Sequence, residues 1–316
     1  YTDSAEESGA RALHAGCDMD CGMVYRKAQA AIAAGLLDEE TVDRSVRRVL
    51  AVRFKLGQFD PPQRCSFTTI PFDAVDCRDH EEAALESARK SIVLLKNDGI
   101  LPLAEQTPRI AVIGPNADDA EVVLANYKAR PSTVTTPLQA IKARVGGDTR
   151  VYFAEGCHRS RVYESEWGDD SRMHLTEATA YADIADVAIV VLGLGPELEG
   201  EEGDAANSDG GGDRTSLALP GHQRELLERV AATGTPIVLV TINGGPVDLA
   251  WAQENAAVGA IVEAWYGGQA AGSAIADVLF GLYNPAGRLP ISFPRSLDHL
   301  PPFADYSTAG RTYRFQ

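Results

Sequence analysis

Apolar runs bounded by turn residues constrain this chain more than any other feature. The most continuous run, VAIVVL at residues 187–192, lies between an aspartate and a glycine. A β-branched and aliphatic run of this length is typical of a strand that is buried on both faces. Further runs of the same kind occur at residues 110–114, 236–242 and 259–266. Together they predict a sheet that is covered on both sides.

Helical patterns separate these runs, so strands and helices alternate along the chain. Such alternation indicates an α/β fold with a mostly parallel sheet and helices on both faces. Residues 58–79 contain three prolines and few periodic residues, and they are interpreted as a linker. Asp38 is a candidate N-cap for the helix that precedes the linker. The predicted helices cover residues 7–16, 25–34, 38–56, 80–95, 137–145, 176–182, 221–233 and 269–279, and a helical turn is predicted at 251–256.

The charge of the chain restricts its partners. There are 29 lysines and arginines against 45 aspartates and glutamates, which gives a net charge of −16 over 316 residues. This balance argues against a nucleic acid or an anionic membrane as partner and favours a neutral substrate. No stretch reaches the roughly 18 apolar residues that span a bilayer. The chain starts at Tyr1 without a methionine or a recognisable signal peptide, so we expect a piece of a longer protein.

No cofactor or metal site is predicted. The sequence GPNADD at residues 114–119 keeps only the first glycine of the dinucleotide-binding pattern GxGxxG. Cys17 and Cys21 have three residues between them, but no second cysteine or histidine pair lies nearby in the sequence. A structural pair and free thiols therefore remain as alternatives to a metal site.

An acidic, glycine-rich segment follows the run at residues 187–192. Ligands in open α/β sheets bind beyond the carboxyl ends of strands, so this segment is a candidate site of carboxylate chemistry. The alternative is a solvated acidic loop. Residues 196–214 read PELEGEEGDAANSDGGGDR, and their carboxylates are Glu197, Glu199, Glu201, Glu202, Asp204, Asp209 and Asp213.

A set of motifs follows one another along nearly the whole chain. Five of them are KSIVLLKNDGILPL (90–103), IAVIGPNADD (110–119), GDRTSLALPGHQRELL (212–227), EAWYGGQAAGSAIADVLFG (263–281) and NPAGRLPISFP (284–294). Together with GCDMDCG at residues 16–22 and GLGPELEGEE at residues 193–202, they resemble family 3 glycoside hydrolases. GCDMDCG, with the helices up to Gly57, is similar to the end of the barrel domain of β-xylosidases and β-glucosidases in that family, and GLGPELEGEE is most similar to the xylosidase-like members.

The resemblance implies a retaining, exo-acting β-glycosidase that removes terminal β-D-xylosyl or β-D-glucosyl residues from oligosaccharides. In the family, a barrel domain supplies an aspartate nucleophile from a Ser-Asp motif, and a loop of the following α/β sandwich domain supplies a glutamate acid/base. The chain has a single Ser-Asp pair, Ser208-Asp209, and it lies in the acidic segment. The nucleophile is therefore expected to be absent, and the chain alone is expected to be inactive.

Two glutamates are candidates for the acid/base. Glu201 is the first choice, because the second glutamate of LEGEE matches the loop of the family's glucosidases. Glu199 is the alternative, because loop lengths vary in the family and the register is open. The pair Asp213-Arg214 is expected to form structural ion pairs that anchor the loop.

The resemblance also divides the chain. Residues 1–57 would be the C-terminal end of the barrel domain, 58–79 a linker, 80–297 the sandwich domain and 298–316 a tail towards a missing fibronectin-like domain. The expected partners are an oligosaccharide and the missing barrel domain or a chain that supplies it, and the expected location is periplasmic or secreted. A non-catalytic carbohydrate-binding or interaction module with the same sandwich fold is the alternative function.

Overall fold

A computed structural model describes residues 2–160, 171–201, 213–302, 304–307 and 309. The chain separates into two compact units, which comprise residues 1–75 and 76–316. None of the described helices combines the length and the apolar character that crossing a membrane requires.

The first unit is helical. Helix α1 spans Ala5–His14, α2 spans Ala28–Ala33 and α3 spans Glu39–Lys55. Asp38 caps α3 as predicted, since its carboxylate accepts a hydrogen bond of 2.6 Å from the N–H of Thr41. The helix expected over residues 25–34 is shorter, because a 3-10 turn precedes α2. The 3-10 turns of this unit are Val24–Lys27, Pro62–Arg64, Ser66–Thr69 and Phe72–Ala74.

Helix α3 leaves much of its apolar surface uncovered. Val46, Val52 and Phe54 are 46%, 56% and 62% exposed. A surface cavity of about 410 Å³ is lined by residues of α1, α2 and α3 and by the segment between α1 and α2, most of them apolar. The buried apolar core of this unit is small and consists of Ala10, Leu13, Ala31 and Leu37. Apolar surface of this kind is typical of a face that packs against further polypeptide.

The second unit contains six strands and seven further α-helices among its described residues. The helices are α4 (Arg78–Ser91), α5 (Ala120–Leu124), α6 (Pro137–Arg144), α7 (Ser171–Ile184), α8 (Gln223–Ala232), α9 (Ala250–Glu254) and α10 (Ala271–Leu279). The strands are β1 (Val93–Asn97), β2 (Arg109–Ile113), β3 (Arg150–Ala154), β4 (Val187–Gly193), β5 (Ile237–Ile242) and β6 (Val258–Glu263).

The six strands form one sheet in the order β1-β6-β5-β4-β2-β3. Strands β2 to β6 run parallel, and β1 pairs antiparallel with β6. Alternate residues of β4 enter different cores: Ile189 and Val191 pack on the side of α4, α6 and α10, whereas Val190 and Leu192 pack on the side of α7 and α8. The predicted fold class, a mostly parallel sheet with helices on both faces, is confirmed.

Strand β1 differs from the sequence-based prediction, which extends a helix to residue 95. Helix α4 ends at Ser91, and Ile92 already has an extended backbone with ψ of 131°. Val93 and Leu94 then pair with Glu263 and Val262 of β6. A short apolar run fits either a helix end or a strand. The free backbone groups at the edge of β6, which are distant in sequence, decide in favour of the strand.

A buried aspartate joins three helices on one side of the sheet. Asp277 of α10 is 3% exposed. Arg89 of α4 donates to its Oδ2 from Nε at 2.8 Å and from Nη2 at 2.5 Å, and Arg144 of α6 donates to its Oδ1 from Nη2 at 2.7 Å. Because a buried carboxylate needs partners of opposite charge, the packing of the three helices depends on this group.

We predict that Asp277→Ala lowers the free energy of unfolding by about 3 kcal/mol, because two partly buried guanidinium groups lose their counter-ion. Urea unfolding of the chain measures this loss. Glu254→Ala is the control: Glu254 and its partner Arg295 are both 70% exposed, so the expected loss is below about 1 kcal/mol. Similar small losses in the two variants would contradict the prediction.

A second buried carboxyl group lies at the end of β6. Glu263 is fully buried. Its Oε2 accepts hydrogen bonds from Thr241 Oγ1 at 2.8 Å and from Asn243 Nδ2 at 3.1 Å, and its Oε1 accepts one from the N–H of Trp265 at 3.1 Å. Burial raises the pKa of Glu263 from 4.5 to about 7, because the three hydrogen bonds offset the loss of solvation only in part.

The raised pKa predicts that stability falls as the pH rises from 4.5 to about 7. Over this range the folded chain retains the Glu263 proton while the unfolded chain releases it, so deprotonation favours unfolding. The contribution of this group is about 3 kcal/mol. Urea unfolding at several pH values should show a smaller decline in Glu263→Gln, which cannot ionise. The exposed Glu254→Gln should keep the wild-type decline, and an unchanged decline in Glu263→Gln would contradict the prediction.

Candidate functional site

The acidic loop leaves the sheet at the carboxyl end of β4, beside the ends of β2 and β5. Gly114 and Gly193 allow the strand ends to approach closely, with φ values of 126° and 135°. A Cβ atom at either position would lie 2.1 Å from a carbonyl oxygen, that of Val191 or Ile242 respectively. Only glycine tolerates both this conformation and this contact. The loops that follow the three strands therefore begin side by side.

Glu199 attaches the loop to the ends of β5 and β6. Its carboxylate accepts hydrogen bonds from the N–H groups of Gly244 at 2.6 Å and Gly245 at 2.9 Å, and from the hydroxyl of Tyr266 at 2.6 Å. The Glu199 side chain is 18% exposed. Burial and the nearby Glu199 carboxylate raise the pKa of Tyr266, so this phenol stays protonated and acts as a donor. Donors of the same unit thus occupy both oxygens of Glu199.

Arg214 attaches the other end of the loop to the same turn. Its Nη2 donates to the carbonyl of Pro246 at 2.8 Å and lies 3.7 Å from Glu199 Oε1. The Arg214 side chain is 18% exposed, and its Nη1 is buried without a hydrogen-bond partner in the described part of the chain. Arg214 therefore has the anchoring role that the sequence analysis expected for the Asp213-Arg214 pair. We call Glu199, Arg214 and the turn from Gly244 to Pro246 the loop clamp.

Glu201 lies two residues beyond Glu199 in a different environment. It is exposed, and its Oε2 accepts a hydrogen bond of 2.7 Å from the hydroxyl of Tyr127. Tyr127 belongs to the segment that follows α5 and is itself 80% exposed. The loop clamp holds the backbone next to Glu201, while the carboxyl group of Glu201 faces solvent. A ligand that approaches from solvent can therefore reach this carboxyl group.

A polar network lies beyond the carboxyl ends of the adjacent strands β2 and β4. The later strands of the sheet are added on opposite sides of this pair, β3 beside β2 and β5 beside β4. Arg159 donates to Asn116 Oδ1 from Nε at 2.7 Å and to Glu197 Oε1 from Nη1 at 2.7 Å, and it also pairs with Asp119. Asn116 is fully buried and donates to the carbonyl of Leu194 at 3.0 Å. A cavity of about 450 Å³ adjoins this network, lined by Pro115, Asp118, Asp119, Ala120, Glu121, Phe153, Glu155, His158 and Arg159. The network joins the start of the acidic loop to the ends of β2 and β3.

The structure brings part of the predicted site together. Glu199 and Glu201 lie close in the chain but have different environments. Glu199 is hydrogen-bonded within the loop clamp, whereas Glu201 is exposed to solvent. Of the other loop carboxylates, Glu197 pairs with Arg159 and Asp213 is exposed. Glu202, Asp204 and Asp209 lie outside the described residues, as does Ser208. Cys17 and Cys21 are exposed and form no disulfide with each other.

Sequence reasoning missed Tyr127, Tyr266 and Arg159 as parts of this site. Tyr266 belongs to a motif that supported the family resemblance, and its position as the last residue of a predicted strand could have indicated a site residue. Tyr127 and Arg159 lie between predicted elements, where no periodic pattern marks them. Their role depends on contacts with residues 38 to 74 positions away.

The geometry allows one kind of chemistry in particular. A solvent-facing carboxyl group on a loop with a fixed base can give a proton to, or take one from, a ligand that approaches the carboxyl edge of the sheet. Glu199 is unsuited to this task in the observed arrangement, because its oxygens already serve the loop clamp.

Comparisons with known proteins identify relatives of this chain. Residues 92–316 match the model of the glycosyl hydrolase family 3 C-terminal domain. "Probable beta-D-xylosidase 6" of Arabidopsis thaliana is 36% identical over 100% of the chain, and "Periplasmic beta-glucosidase" of Salmonella typhimurium is 35% identical over 96%. The chain spans only 39% and 40% of the lengths of these two relatives.

A solved structure is similar over the same range. A GH3 exo-beta-xylosidase in complex with a xylobiose aziridine probe has a TM-score of 0.76 and 30% sequence identity, covering 92% of this chain and 35% of that one. The family resemblance of the sequence motifs is confirmed: the chain belongs to glycosyl hydrolase family 3.

Proposed function

We propose that this chain supplies the acid/base part of a retaining β-glycosidase that removes terminal β-D-xylosyl or β-D-glucosyl residues from oligosaccharides. The names of its relatives support this activity and substrate class. The observation that carries the proposal is the environment of Glu201, an exposed carboxyl group beside a loop base that the clamp holds in place.

We propose Glu201 rather than Glu199 as the acid/base. An acid/base residue must reach the glycosidic oxygen with one carboxyl oxygen and later activate a water molecule with it. Glu201 has a carboxyl group open to solvent, whereas four donor groups of the unit lie within 3.7 Å of the Glu199 oxygens. Moving Glu199 to a sugar would break the loop clamp.

The proposed reaction has two steps. In the first, the Glu201 proton passes to the leaving oxygen while a second carboxylate bonds to the anomeric carbon, which breaks the glycosidic bond and forms a glycosyl-enzyme. In the second, Glu201 accepts a proton from water while the water oxygen bonds to the anomeric carbon. The bond between the sugar and the second carboxylate breaks, which releases the sugar with retained configuration and restores both carboxyl groups. The two carboxyl groups must lie roughly 5 to 5.5 Å apart.

We infer that the second carboxylate comes from polypeptide outside this chain. The chain spans about two fifths of the length of its curated relatives. Residues 1–57 would then be the end of a barrel domain, and the exposed apolar side chains of α3 would pack against the rest of it. A periplasmic or secreted location is part of the same proposal and is supported by the name of one relative.

Glu201→Gln in the full-length protein tests the acid/base assignment. We expect kcat/KM for p-nitrophenyl β-D-xyloside or β-D-glucoside to fall by about 10²- to 10⁴-fold, because the leaving oxygen loses its proton donor. The first step with the 2,4-dinitrophenyl glycoside needs little protonation and should be largely retained, and azide should rescue turnover by forming a β-glycosyl azide. Full activity in Glu201→Gln would contradict the assignment of Glu201 as the acid/base. If the wild-type protein bound sugar but hydrolysed no glycoside, the result would favour the alternative function, a non-catalytic carbohydrate-binding module.

Glu199→Gln should give a different result, because it weakens the loop clamp without removing the acid. We expect a loss of about 10- to 100-fold in kcat/KM from the missing charged hydrogen bonds, no rescue by azide, and faster proteolysis within residues 200–213. Glu228→Gln, which alters an exposed pair with Arg224 on α8, is the control and should behave as the wild type. Azide rescue of Glu199→Gln would transfer the acid/base role to Glu199.

A further inference from the structure

We propose that Tyr127 is a positioning residue for Glu201, and that its hydroxyl selects which oxygen of the Glu201 carboxyl group exchanges the proton with substrate and water. This inference rests on the proposed acid/base role of Glu201. It concerns a contact between the segment after α5 and the acidic loop, which are far apart in the sequence.

The first observation is the hydrogen bond itself. The Tyr127 hydroxyl lies 2.7 Å from Glu201 Oε2, a normal length for a bond between a hydroxyl and a carboxylate. The loop clamp fixes the backbone at Glu199, but it does not fix the rotamer of an exposed glutamate two residues further on. A contact from another segment is needed to limit that freedom, and Tyr127 supplies it.

The second observation is the backbone of the Tyr127 segment. Tyr127 has a φ of 52° and Ala125 has a φ of 58°, a region that residues with side chains rarely occupy. The Tyr127 ring is 80% exposed, so burial of the ring does not compensate for this conformation. Strained residues of this kind persist where the surrounding structure holds them, and they concentrate at functional sites.

The surroundings of the segment do hold it at both ends. Before it, Asp119 caps α5 by accepting from the N–H of Glu121 at 2.8 Å, and it pairs with Arg159. After it, the N–H of Ser132 donates to Asp76 Oδ2 at 2.6 Å. Farther along, the N–H of Thr135 donates to the carbonyl of Gln269 at 2.9 Å. Tyr127 therefore projects from a segment with fixed ends towards a loop with a fixed base.

The hydrogen bond has a consequence for the proton. When Glu201 is protonated and Oε2 accepts from Tyr127, the proton lies on Oε1. When Glu201 is ionised, Oε2 still accepts from Tyr127, and Oε1 is free to accept from water. The same oxygen, Oε1, then serves both steps of the proposed reaction without a rotation of the carboxyl group. This arrangement reduces the reorganisation needed in each step.

The test is Tyr127→Phe in the full-length protein, a change that keeps the ring and removes only the hydroxyl. We expect kcat/KM for p-nitrophenyl glycoside to fall about 10-fold through kcat, with KM nearly unchanged, and the first step with the 2,4-dinitrophenyl glycoside to be unaffected. Tyr181→Phe, which removes the hydroxyl from a tyrosine that stacks on Tyr152, is the matched control and should change none of these quantities.

The double variant Tyr127→Phe/Glu201→Gln separates the two proposals. If Tyr127 acts through Glu201, the double variant should be no slower than Glu201→Gln alone. An additive 10-fold loss in the double variant, or a loss in Tyr127→Phe that appears in KM and not in kcat, would overturn the positioning role while the Glu201 assignment stands. The acid/base assignment would instead be overturned if the activity of Glu201→Gln did not depend on the leaving group and azide did not rescue it.

Discussion

Every residue of β4 is buried, so neither face of this strand is available for chemistry. The strand pairs on both sides with parallel neighbours, and helices cover both faces of the sheet. Polar groups can approach it only beyond its two ends, and the acidic loop follows the carboxyl end, where the parallel strands β2, β5 and β6 also end. The location of the candidate site is thus a consequence of hydrophobic burial, and the close approach of strand ends at Gly114 and Gly193 brings the following loops together.

The loop clamp shows how neighbouring residues of one type acquire different environments. Glu199 and Glu201 differ little in sequence context, yet the first accepts hydrogen bonds from Gly244, Gly245 and Tyr266, and the second meets only Tyr127 among the partners described for it. Carboxylates that already serve as acceptors stabilise structure, and carboxyl groups open to solvent are available for proton transfer. Beneath the clamp, the buried Glu263 organises the ends of β5 and β6 through Thr241, Asn243 and the backbone of Trp265.

Much of the fold could be predicted from the sequence, because burial on both faces requires continuous apolar runs and the helices show their own periodicity. The clearest difference is β1, where the run after α4 suits a helix end as well as a strand, and pairing with β6 decides between them. The site was predictable to the level of a loop and two glutamates, since family motifs record residue types in order. Tyr127 and Arg159 were not predictable, because each acts through partners that only the folded chain brings near.

The sequence by itself determined the fold class, the family and the segment that carries the candidate carboxylates, because local patterns of apolar, glycine and acidic residues encode them. Only the tertiary structure decided which glutamate is held and which is open, and which tyrosine meets the open one. The reason is physical: the role of a carboxyl group depends on the donors and the solvent around it, and those donors come from strand ends and segments that are distant along the chain.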